Sequence, residues 1–143
     1  MNLYTGRMTG RVALARVPEG ADLLASVNQM ASEAGFKSAS VQFIGAVRKA
    51  VVQVFDQAKG EYVTLSLAGP LEIVTGTGNV SLKDGQPFAH VHAVFSDLRG
   101  VCSGGHLAPG TEVFMAEVVL AEIDTDRPLE RKLDRATGLA LWE

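Results

Sequence analysis

Cysteine is nearly absent: the 143 residues contain one, Cys102. No disulfide can form within one chain, which suits a reducing compartment. Aromatic residues are scarce at 6%, so the core must be built from Val, Leu, Ile and Ala. A basic surplus is missing too. Thirteen Lys and Arg against sixteen Asp and Glu leave a net charge of −3. A protein that grips nucleic acid through its own phosphate contacts normally carries a basic excess or stripe. The densest basic pairs here are Arg48-Lys49 and Arg131-Lys132, so the composition disfavours autonomous, tight DNA binding. No apolar run approaches the ~20 residues of a membrane-spanning helix. Met1-Asn2-Leu3-Tyr4-Thr5 lacks the charged start and apolar stretch of a signal peptide. The expectation is a soluble, cytoplasmic protein with no membrane partner.

What is present is apolar, at 47% of the chain, and rich in glycine, with fifteen. The length suits a single domain over residues 1–143. Arg11 to Val17 reads as a strand, and Pro18-Glu19-Gly20 as a turn. From about residue 21 to 34 the spacing becomes helical. Leu23, Leu24, Val27, Met30, Ala31 and Ala34 form one stripe, and Gly35 stops it. From Phe36 to Ile123 the pattern is of strands, broken at Gly45, at Asp56–Gly60, at Gly69-Pro70, at Lys83-Asp84-Gly85, at Leu98-Arg99-Gly100 and at Pro109-Gly110. The fold class expected is α+β, a mostly antiparallel sheet of about seven strands with one main helix. On the last strand Val113, Met115, Val119 and Ile123 fall on one face, with Phe114, Val118 and Leu120 on the other. Both faces are apolar, so both need cover, and one helix cannot supply it. That points to a second sheet or another subunit. Residues 125–143 read as a polar tail held to the surface by Leu139, Leu141 and Trp142.

The chemistry-bearing residues cluster. His90 and His92 share one face of a predicted strand. If the next hairpin turns on Leu98-Arg99-Gly100, with glycine in the left-handed position, Asp97 pairs with Val101 and His92 falls opposite His106. Opposed Cβ atoms lie ~5 Å apart and diagonal ones ~7–8 Å, so three imidazoles can converge on one ion. A two-residue loop would send His106 to the other face. Three imidazoles leave one position of a tetrahedral ion open, the layout of catalytic zinc, although Cu, Ni and Fe also take imidazole. The bland alternative is a set of ordinary strand histidines, hydrogen-bonded or exposed. Gly104 and Gly105, just before His106, would let backbone, ligand or water come close. Glu72 and Glu117 sit inside apolar strands. Buried there, each could steady an imidazole, be a fourth ligand, act as general acid or base, or pair with an arginine. Cys102 lies too far along its strand to join the histidines and reads as a small core residue. Gly76-Thr77-Gly78-Asn79 opens no helix, so it reads as a bulge or bend rather than a phosphate loop.

Together, Gly69-Pro70-Leu71-Glu72-Ile73 with Gly78-Asn79, His90-Val91-His92 and Gly104-Gly105-His106-Leu107 resemble the PPC (plants and prokaryotes conserved) domain. Arg16-Val17-Pro18-Glu19-Gly20 and Ile44-Gly45-Ala46 also fit, so the resemblance runs from about residue 11 to 123. It implies a strongly curved sheet and a homotrimer. Plant members follow AT-hook motifs in nuclear DNA-binding proteins; prokaryotic members stand alone and carry provisional DNA-binding labels. This chain has no Arg-Gly-Arg-Pro AT-hook, and it keeps three histidines that plant members generally lack. The fold is also similar to that of α-acetolactate decarboxylase, which holds zinc with a His-x-His and a downstream histidine. By that analogy His90, His92 and His106 are metal ligands, and Glu72 or Glu117 an acid/base. Two functions follow as expectations: a regulatory, DNA-associated module with a structural ion, or a zinc-dependent lyase or hydrolase acting on a small carboxylate or carbonyl metabolite.

Overall fold

The computed structural model describes residues 3–142. Eight strands and one helix follow in the order β1 (Gly6–Val17), α1 (Leu23–Ala34), β2 (Ala39–Asp56), β3 (Glu61–Lys83), β4 (Gln86–Ser96), β5 (Cys102–Leu107), β6 (Glu112–Thr125), β7 (Arg131–Leu133) and β8 (Ala140–Trp142). Six of the strands form one antiparallel sheet, ordered β1-β6-β2-β3-β4-β5. Among the described residues no helix is long and apolar enough to cross a membrane.

The helix forms where its spacing predicts. Asp22 caps it, accepting from the Ala25 N–H at 2.8 Å, and Gly35 closes it at φ 70°. Leu23, Val27 and Ala31 are fully buried against the inner face of the sheet, which supplies Val41, Phe43, Val91, Ala93, Val118 and Leu120. Gly76 belongs to that face: a Cβ there would stand 2.0 Å from the Phe43 ring, so glycine makes room for the aromatic.

Two expected breaks are continuous strand. β2 runs through Gly45, and β3 runs through Gly69-Pro70, whose peptide is cis. Register slips at Phe43/Gly45 and Val47/Lys49 between β2 and β3 bend the strands there instead of ending them. The bending is strong enough to close the sheet. The first half of β2 pairs with β6, while farther along Val52 and Gln53 pair with Leu107 and His106 of β5. A slip opposite Ala46/Val47 also turns Val113 to the inner face, with Ala116, Val118 and Leu120. The alternation expected for β6 is therefore corrected at two residues: Val113 joins Val118 and Leu120 inside, and Phe114 leaves them and is exposed, as is Met115.

The tail is more than a surface flap. β7 and β8 form a small hairpin, Leu129 and Arg131 are buried, and Leu141 is exposed. Leu129 is tied in by the Leu82 N–H at 2.9 Å. Cys102 is exposed rather than in the core, because it opens β5 beside the Asp97–Val101 hairpin, beyond the covered part of the sheet.

Candidate metal centre

Directly opposed residues share a face. Leu14, Val119, Gln42, Thr77, His92 and His106 therefore run as one row across β1, β6, β2, β3, β4 and β5 on the face away from the helix. The hairpin that decides the row is local. The Asp97 N–H donates to the Val101 carbonyl at 3.0 Å, Gly100 has φ 79°, and the Asp97 carboxylate accepts from the backbone N–H groups of Arg99 and Val101. The three-residue turn places His92 opposite His106, as the sequence predicts.

His90, one pair further along, completes the group. Each of the three rings offers one nitrogen, and these nitrogens all lie within 4.8 Å of one another. Ring centroids are 4.9–5.5 Å apart. His90 and His106 are half-buried and His92 is exposed, so the open side of the cluster is at His92. Tyr62 packs on His106 at 5.6 Å between ring centroids. From the far side comes Arg131, whose Nη2 lies 3.4 Å from His90 Nδ1. Sequence reasoning missed this arginine; only its place in a basic pair drew notice, and nothing in its spacing relates it to the histidines.

The rings suit a borderline metal ion. His106 Nδ1 is buried and has no hydrogen-bond partner, a cost that a ligand bond would remove. Three neutral imidazoles are a ligand set that zinc accepts, with a fourth position left for another ligand. Burial first, then the charge of Arg131 and the two other rings, lowers the His90 pKa from 6.5 to about 4. His106 is lowered as well, by burial and then by His92 and Arg131. Both rings thus keep their lone pairs at neutral pH.

This has a stability consequence. The unfolded chain takes up protons on these rings near pH 6.5, before the folded state does, so protons favour unfolding. Stability present above that pH is lost as pH falls toward about 4. Urea melts of the metal-free protein should show a midpoint falling over that window, and His90→Gln should flatten the fall. A midpoint independent of pH there would contradict the assignment.

The other predicted residues fall elsewhere. Glu72 lies opposite Ser96, four residues along β4 from His92 or ~13 Å. It is exposed in a 620 Å³ groove with Arg48, Pro70, Leu98 and Phe114. Glu117 lies opposite Ile44 and Arg16, exposed in a second groove of 540 Å³. Neither stands in the histidine group, and neither is buried, because both project from the uncovered face of the sheet. Gly104 and Gly105 allow close packing of backbone: added Cβ atoms would lie 2.2 Å from the Ala93 carbonyl oxygen and 2.8 Å from that of Gln53.

A curved antiparallel sheet with one covering helix and three imidazoles gathered on the opposite face defines an α+β domain with a candidate metal centre. The chain belongs to the Plants and Prokaryotes Conserved (PCC) domain family, whose model matches residues 4–124. A metal-containing protein of Archaeoglobus fulgidus is 39% identical with a TM-score of 0.92, covering 100% of this chain and 99% of its own. A plant- and prokaryote-conserved (PPC) protein of Pyrococcus horikoshii is 38% identical with a TM-score of 0.88, covering 100% and 96%. A protein of Bacteroides thetaiotaomicron with a provisional DNA-binding description shares the fold at 22% identity and a TM-score of 0.84, covering 99% and 98%. No curated protein matches the chain.

Proposed function

We propose that the chain is a homotrimeric, cytoplasmic protein in which His90, His92 and His106 of each chain together hold one zinc ion, and that a small molecule reaches this centre past His92. The observation that carries the reading is the convergence of three ring nitrogens within 4.8 Å, with His106 Nδ1 buried and otherwise unpaired. The metal content of the Archaeoglobus fulgidus relative supports it. When bound, the ion supplies Lewis-acid polarisation of an oxygen on the incoming molecule. The chain's own residues do the rest. The three rings hold the centre, Tyr62 and the β7–β8 hairpin shield His106 and His90 from water, and His92 leaves the way in open. An acid/base role for Glu72 or Glu117 would need a neighbouring copy to deliver it, since neither stands beside the histidines of its own chain.

Assembly is supported by the apolar residues that one chain leaves in water. Leu14 is 72% exposed, and Ile44, Val74 and Phe114 are each more than half exposed, all on the outer side of the main sheet. Light scattering should give about three times 15.1 kDa; a monomer at micromolar concentration refutes the trimer.

A second reading, a DNA-associated module with a structural ion, draws on the description of the Bacteroides thetaiotaomicron protein. The net charge of −3 per chain opposes it. One experiment separates the two: small esters, lactones and 2-keto or 2-hydroxy acids are tested for metal-dependent turnover, beside a salt-titrated duplex-binding assay. Turnover lost on chelation, without duplex binding, is expected. Nanomolar, salt-sensitive duplex binding with no turnover would overturn the enzyme reading.

A further inference from the structure

The C-terminal hairpin sets a permanent positive charge beside the histidines, and among the described residues no carboxylate pairs with it. Arg131 is 7% exposed. Its Nε donates to Ser81 Oγ at 2.7 Å, Nη1 to the Ala140 carbonyl at 3.0 Å, and Nη2 to Asn79 Oδ1 at 2.9 Å. Every one of these acceptors is neutral. Among the described residues no carboxylate forms an ion pair with it. The rings of Phe88 and Trp142 lie 5.6 and 5.5 Å away, but a ring face only partly offsets a full charge. Guanidinium does not lose its proton, so it cannot escape burial by becoming neutral.

A buried charge without a counter-charge is costly, and three imidazoles add none. Any cation held by the cluster would stand near Nη2, which is 3.4 Å from His90 Nδ1, and like charges at such range repel strongly away from bulk water. Sites that hold a divalent ion with carboxylate ligands cancel this charge internally; here Glu72 and Glu117 stand elsewhere. Among the described residues nothing supplies the balancing charge, so a ligand that carries one is favoured.

We infer that the site takes a small oxyanion, typified by an organic carboxylate, and that Arg131 is the fixed charge that selects it over a neutral molecule of the same shape. This inference rests on the proposed metal centre. Arg131 acts as a positioning and selecting charge, since its hydrogen bonds are spent on Asn79, Ser81 and Ala140.

The test uses full-length protein loaded with cobalt(II), whose visible spectrum reports both occupancy and a change of ligand. Lactate is titrated against lactamide, its uncharged isostere, with bicarbonate and inorganic phosphate alongside. Lactate is expected to shift the spectrum at a concentration at least tenfold below lactamide. A response to the inorganic anions as well supports a general oxyanion site, and a response to lactate alone supports an organic carboxylate. Arg131→Lys keeps the charge and should retain the preference; Arg131→Met should lose it while still binding one cobalt. Because Arg131 also ties β3 to the hairpin, Arg131→Met is checked for folding by circular dichroism, and the comparison of lactate with lactamide on the wild type decides if it unfolds. Cobalt bound with lactate and lactamide indistinguishable overturns this inference alone. Failure to bind cobalt overturns the metal centre and the inference together.

Discussion

Replacing His92 with alanine is expected to strip the ion from the protein: elemental analysis of untagged wild type should find about one zinc per chain after reconstitution, and His92→Ala close to none. His92 is the ligand to choose because it is exposed, so its ring contributes little to packing. It is also the hinge of the cluster, two residues along β4 from His90 on the same face and directly opposite His106 on the next strand. Loss of one of three protein ligands should weaken the ion by well over the 10–100-fold seen when only the support of a ligand is removed. A tightly bound ion also stabilises the folded state by mass action, about 4 kcal/mol at a thousandfold excess over Kd. Wild type should therefore melt roughly 10–20 °C above His92→Ala when both are zinc-loaded. After chelation the two should melt together. A difference that survives chelation would mean His92 acts through packing and not through a metal.

The second large effect is expected from a glycine that touches no ligand. Gly78 lies opposite Val91, between the two residues that carry the His90 and His92 rings. A Cβ on Gly78 would stand 2.1 Å from the His90 carbonyl oxygen and 2.7 Å from the Val91 Cα. Both are backbone atoms of β4, which cannot move aside singly, so Gly78→Ala has to push β4 off β3. Overpacking of this kind costs about 1–3 kcal/mol, and here the upper end is expected because no flexible side chain can yield. The displacement falls on the metal-binding stretch itself. Gly78→Ala should lower the urea midpoint and also weaken zinc, though it removes no ligand. Unchanged stability and affinity would show that the β3–β4 spacing is not set by this glycine.

Much of the candidate centre was legible because its geometry is local. Leu98-Arg99-Gly100 is a turn whose length and glycine dictate the register of the strands on either side, and that register alone puts His92 against His106. The helix was legible for the same reason: Asp22, the Leu23–Val27–Ala31 stripe and Gly35 act within one stretch of fourteen residues. The apolar residues on both faces of β6 likewise indicated a surface that one helix leaves uncovered, and Phe114 and Met115 are indeed exposed.

What the sequence did not reveal depends on contacts between distant segments. Gly45 and Gly69-Pro70 look like breaks, yet they lie inside strands, because partners on both sides hold the chain extended through the register slips. Closure of β5 onto β2 pairs Gln53 with His106, residues that no local turn relates. Val113 turned inward at a slip that only the β2 partner defines. Glu72 and Glu117 have the surroundings of buried carboxylates in sequence, but a strand shows which residues share a face and not whether anything covers that face. Arg131 is the plainest case. It meets His90 from forty-one residues away and is set there by Asn79 and Ser81, fifty-two and fifty residues distant. Periodicity and turn chemistry act over one or two turns of chain, so they determined the helix, the hairpin and the three histidines; the charge that stands beside those histidines was decided only when the C-terminal hairpin packed back across the sheet.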